Sequence, residues 1–191
     1  MIYKRIPTAV LALLLFFIVQ SSVLKGLSLS GAIPNLLLVL TVSYGYLRGE
    51  TSAMTVGFFS GLLLDIFGMN IIGLYALIYL YLGYLAGLCH TWYEPAEYRI
   101  PLAMIIIAEI IVLGLEYLFF FVLNGDFGFV FYLKGKALPE FVSTMLSSLA
   151  IYPALLWTEE RFVNIDPAEK KKKEDWNVSE LVDNGGKKGT E

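Results

Sequence analysis

The sequence predicts an all-α, polytopic membrane protein built as a six-helix bundle. Three observations lead there. Apolar residues make up 57% of the 191-residue chain, above the roughly 45–50% usual for a soluble domain even with glycine counted. They come as repeated long runs, and a run of about 17–25 mostly apolar residues is what a helix needs to cross hydrocarbon. Lys and Arg are segregated between those runs, which is how charge encodes membrane topology.

Taken in order, the spans fall at about 6–24, 33–48, 52–69, 71–89, 101–123 and 138–157. The first follows Lys4-Arg5. That pair, with Val19 and Ser21 as a passable cleavage site, also fits a signal peptide, but the long apolar region and five further spans favour an uncleaved helix. The second span is short and opens with Pro34, which suits the first turn of a helix. Only Gly68-Met69-Asn70 joins the third to the fourth, a tight hairpin. The fifth is bounded by Pro101 and the turn-like Asn124-Gly125-Asp126. Residues 124–137, NGDFGFVFYLKGKA, then read as an outer loop whose aromatic rings suit the headgroup level, or a docking surface for an extracytoplasmic partner.

Six spans with the N-terminus inside put 11 of the 14 Lys and Arg on the cytoplasmic side and leave Lys25, Lys134 and Lys136 outside. Both termini are therefore expected in the cytoplasm. Residues 1–160 form the transmembrane domain. Residues 161–191 form a charged cytoplasmic tail, polar and mixed in sign, as disordered segments are. Its Lys170 to Lys173 run would attract anionic lipid, an attraction weakened by the flanking Glu169, Glu174 and Asp175.

Inside the membrane the chemistry is sparse. Gly57, Gly61 and Asp65 follow one another at four-residue steps, so they share one slowly drifting helix face. Small residues at that spacing let two backbones approach closely, and Asp65 reads as the polar end of a packing stripe buried between helices near the outer leaflet. Gly45 and Gly49 repeat the spacing in the second span, and Gly83 and Gly87 in the fourth. Glu109 and Glu116 lie seven residues apart on one face of the fifth span. Intramembrane acids mark either a functional site or a paired polar contact. Thr41, Ser43, Tyr44, Ser60, Tyr75, Tyr79, Tyr81, Ser143, Thr144, Ser147 and Ser148 offer hydroxyl donors to them, and no Lys or Arg is expected deep enough to pair with them. Gly57, Gly61, Asp65, Gly83, Gly87, Glu109 and Glu116 are thus the candidates for contact with a partner or ligand.

Catalysis and metal binding are not expected. The single cysteine and single histidine, Cys89 and His90, are neighbours and point about 100° apart on a helix, so they make no nucleophile–base pair. They cannot supply a multi-histidine or Cys-rich metal site. No phosphate-cradling loop, HExxH helix or GxSxG elbow occurs, and no cofactor is implied.

The order PNLLLVLTVSYGYLRGE, then GFFSGLLLDIFG, then GLYALIYLYLGYLAG resembles the MreD family of rod-shape-determining bacterial membrane proteins. Pro34, Asn35, Gly57, Gly61, Asp65, Gly73, Gly83 and Gly87 fill the family's places, so the likeness is concentrated in residues 33–88. The resemblance implies a non-catalytic scaffold of the cell-wall elongation machinery in the bacterial cytoplasmic (inner) membrane. Its implied partners are an MreC-like protein, the RodA polymerase, a class B penicillin-binding protein, MreB and membrane lipids, with a homo-oligomer as an option and no nucleic acid. The architecture also resembles the substrate-binding subunit of energy-coupling-factor vitamin transporters. That is the alternative function, in which Asp65, Glu109 and Glu116 become ligand contacts.

Overall fold

The computed structural model describes residues 2–23, 33–68, 73–92, 99–122 and 128–158. Every regular element among them is helical. Helix α1 runs over Ile2–Ile18 and continues in a wider π-type coil to Val23; α2 is Leu36–Arg48, α3 Glu50–Gly68 and α4 Leu74–Leu88. Helix α5 spans Arg99–Glu116 and widens through Tyr117–Val122. The last, α6, is one continuous helical run over Phe129–Thr158 with a π-type stretch at Leu133–Ala137.

Five elements fall where hydropathy puts them, within a few residues. The sixth starts nine residues before position 138, so most of the expected outer loop is helix from Phe129 onward. The 69–70 turn, residues 124–127 of that loop and the 161–191 tail with its lysine run lie outside the described residues. The chain divides into two compact units, residues 1–155 and 156–191, the second described only at 156–158.

Helix α2 sits at the centre. Every side chain from Leu36 to Tyr46 is buried, and the helix packs against α1, α3, α4 and α5. A helix apolar all round is one that is buried all round. Its N-terminus is finished by side chains: the Leu38 N–H donates to Asn35 Oδ1 at 3.3 Å, and the Leu37 N–H donates to Gln20 Oε1 of α1 at 3.1 Å. Both groups would otherwise be orphan donors of a first turn. At the other end a single residue, Gly49, links α2 to α3. Its φ of +83° is a conformation that glycine adopts without strain.

Leu37, Leu38, Val42, Tyr79, Ile105 and Val112 share one core cluster, and Leu13, Leu40, Tyr44, Val56 and Leu155 form a second. The outward faces are apolar as well: Leu11 and Leu15 on α1, Phe67 on α3, Ile107 and Ile110 on α5, Leu146 and Leu149 on α6 are all exposed. So much continuous apolar surface suits hydrocarbon rather than water. Three helical runs among the described residues, Leu74–Thr91, Arg99–Phe119 and Phe129–Thr158, are long and apolar enough to cross a membrane. Ala9–Ser22 and Leu36–Arg48 are shorter apolar helices.

Candidate functional site

The candidate residues fall into two assemblies, a glycine seam and a buried acid network, and Asp65 belongs to both.

The seam joins α3 to α4, the most extensive helix pair among the described residues. A Cβ on Gly57 would run into the Tyr79 backbone, one on Gly61 into the Tyr75 and Ala76 backbone, one on Gly83 into Ala53, and one on Gly87 into Glu50. As the α3 number rises the α4 number falls, so the helices run antiparallel, with the two α4 glycines against the first turns of α3 and the two α3 glycines against the first turns of α4. Gly45 of α2 meets Ala86 in the same way, where an added Cβ would come within 2.6 Å of the Ala86 Cβ. The small-residue faces seen in the sequence are therefore occupied by backbone of this same chain.

Asp65 stands near the end of α3 and is 1% exposed. Its Oδ2 accepts the Gly73 N–H at 2.9 Å and the Ala76 N–H at 3.1 Å, and its Oδ1 accepts the Tyr75 N–H at 3.1 Å. These are the first donors of α4, the group that a helix start leaves unsatisfied and that carries its partial positive charge. The carboxylate is thus a cap supplied from a neighbouring helix. Among the described residues its hydrogen bonds come from backbone, not from the hydroxyls that the sequence offers.

Glu116, at the end of the regular part of α5, gathers three donors. Tyr75 Oη donates to its Oε1. Lys136 Nζ donates to Oε2 at 2.7 Å, and Tyr132 Oη lies 3.2 Å from the same oxygen while also within 2.9 Å of the Leu113 carbonyl. The Lys136–Glu116 ion pair corrects the expectation that no cation lies deep enough to pair the acids. The physical reason is the early start of α6: Tyr132 and Lys136 are four apart, on one face of a helix rather than in a loop. Their spacing was the signal available in the sequence, and Gly128 and Gly135 masked it. Tyr75 spans both acids, its N–H on Asp65 and its hydroxyl on Glu116.

Glu109 lies two turns away from Glu116 on α5 and is fully buried. Its Oε1 accepts Thr144 Oγ1 of α6 at 3.0 Å; Thr144 Oγ1 accepts the Asn35 N–H at 3.0 Å; and Asn35 Oδ1 accepts Tyr79 Oη at 2.7 Å. One hydrogen-bonded string thus ties α5, α6, the start of α2 and α4 together. The second oxygen, Oε2, is buried with no hydrogen-bond partner among the described residues. Gln20, Asn35 and Tyr132 were not singled out by sequence as bonding groups, since their roles depend on which helix ends they meet.

Among the described residues the arrangement chiefly ties helices together, and no nucleophile stands beside a base. His90 Nδ1 is within 2.7 Å of the Tyr46 carbonyl, and Cys89 is a free thiol. A family model described as rod shape-determining protein MreD matches residues 3–157. No curated protein and no solved structure matches the chain.

Proposed function

The chain belongs to the rod shape-determining MreD family, and from that premise we propose that it is a non-catalytic integral scaffold of the cell-wall elongation complex. It sits in the bacterial inner membrane with several passes and both termini in the cytoplasm, binds an MreC-like protein, and through it is linked to RodA, a class B penicillin-binding protein and MreB. The family match over residues 3–157 carries this reading. Two features support it. Inside the bundle Asp65 and Glu116 hydrogen-bond to their own chain and the glycines pack against its backbone, as a scaffold's interior does, and the apolar outer faces are left for lipid and other membrane proteins. In this reading Gly57, Gly61, Asp65, Gly83, Gly87, Glu109 and Glu116 serve partners by fixing the surface that partners meet. The tail and the 1–160 boundary keep the parts given to them by charge: a soluble cytoplasmic appendage to a membrane domain.

The transporter alternative calls for a polar, ligand-shaped pocket, and no observation favours it. The test is brief crosslinking in native membranes, extraction in mild detergent and mass spectrometry of what comes along. Recovery of an MreC-like protein with a penicillin-binding protein or RodA is expected. Recovery of a coupling-factor membrane subunit with its ATPases would overturn the proposal.

A further inference from the structure

A cavity of about 690 Å³ lies between α1 and α3. Its lining divides by chemistry. At one end stand Arg48, which closes α2, and Thr51, Ser52 and Thr55 from the first two turns of α3. Elsewhere it is hydrocarbon, with Val10, Leu13 and Leu14 on the α1 side and Phe59, Leu63 and Ile66 on the α3 side. The Arg48 guanidinium rests 4.5 Å above the Tyr44 ring, which holds the cation in place. The N-terminus of α3, the positive end of its dipole, lies at the same end. Glu50, in that first turn, is not part of the lining.

Length and charge decide what fits. From Thr51 to Ile66 the groove follows α3 for about 22 Å. One leaflet, hydrocarbon and headgroup together, is about 20–22 Å deep. A hydrocarbon chain with its headgroup matches that length, and the cation and hydroxyls stand where the headgroup of such a lipid would lie.

We infer that this groove holds one anionic phospholipid from the leaflet on the Arg48 side. Its phosphate is bound by Arg48 with the Thr51 and Ser52 hydroxyls, and one acyl chain lies between α1 and α3. Charge-assisted hydrogen bonds from a guanidinium to phosphate are among the stronger polar contacts a protein makes. The apolar walls supply hydrocarbon contact without selecting the headgroup. The inference requires that the chain sit in a bilayer and does not depend on its part in shape determination.

The full-length chain, exchanged in mild detergent against equal phosphatidylglycerol and phosphatidylcholine, is examined by native mass spectrometry. One retained phosphatidylglycerol per chain is expected, favoured over phosphatidylcholine by about fivefold: the two share the phosphate, and the choline cation is repelled by Arg48 and the positive end of α3. Arg48→Gln should abolish the preference and Arg48→Lys should keep most of it. Thr55→Trp, at an exposed position, should fill the groove and lose the bound lipid without changing the melting temperature. A photo-crosslinking side chain at position 55 should label phospholipid. Equal retention of both lipids by the wild type overturns the inference. So does lipid retained by folded Thr55→Trp, or a polypeptide labelled in place of lipid. Should Arg48→Gln fail to fold, Thr55→Trp and the crosslink decide.

Discussion

Asp65, Glu109 and Glu116 are three buried acids, and their surroundings give them different sensitivities. Both Asp65 oxygens accept backbone N–H groups, so an amide in its place turns an NH2 toward a donor. Asp65→Asn is therefore expected to cost nearly as much as Asp65→Ala, about 2 kcal/mol or more by thermal unfolding in detergent, because buried donors lose their acceptor. A mild Asn variant would show that the cap is not what the carboxylate provides. At Glu109 only Oε1 is engaged, and a glutamine keeps that acceptor. Glu109→Gln should shift stability by less than about 1 kcal/mol, whereas Glu116→Gln, facing three donors, should lose more than that. Lys136 is half-exposed, so its charge is screened, and Lys136→Ala should cost under about 1 kcal/mol while Glu116→Ala costs more. The sequence made the acids visible as misfits in apolar runs. It did not reveal their partners, because the start of α4 and the face of α6 that supply the donors are set by tertiary placement.

At the scale of elements, the α3–α4 seam is the feature most sensitive to volume. Gly57 and Gly61 meet backbone, which cannot step aside as a side chain does. Gly61→Ala should already destabilise, by the 1–3 kcal/mol typical of overpacking, and Gly61→Leu should abolish folded protein in detergent. Gly114 is the contrast: nothing lies within 4 Å of a Cβ built there, and it sits inside α5. Gly114→Ala should be neutral or stabilising, by up to about 1 kcal/mol, since alanine is the better helix former. Equal melting temperatures for Gly61→Ala and Gly114→Ala would contradict the close approach. Five helices were legible from hydropathy, and the seam from four-residue glycine spacing in neighbouring spans. The start of α6 was not, because NGDFGF reads as turn chemistry, and the helix beginning at Phe129 is bound to the rest of the protein through Tyr132 and Lys136. Spacing alone also does not say whether a small-residue face meets its own chain or another.

For the whole molecule, the proposed orientation makes a prediction that needs no partner. With Cys89 changed to serine, a cysteine at Lys134 should react with an impermeant thiol reagent in intact cells, or in spheroplasts where an outer membrane intervenes. A cysteine at Lys187 should react only after the membrane is opened. The reverse pattern would invert the topology read from Lys and Arg counts. The enclosure of α2 carries a consequence of another kind. In the finished protein this helix is dissolved in its neighbours, with no face of Leu36 to Tyr46 left to lipid. Yet the ribosome makes it before α3, α4, α5 and α6. Until α4 and α6 arrive, Asn35 waits without Tyr79 and Thr144, and Thr41 and Ser43 wait without the protein packing that buries them. A nascent chain paused after α3 is thus a membrane protein with its interior on the outside. Membrane proteases should clear chains truncated there faster than chains truncated after α6, so the helix most protected at maturity is the one most exposed during synthesis.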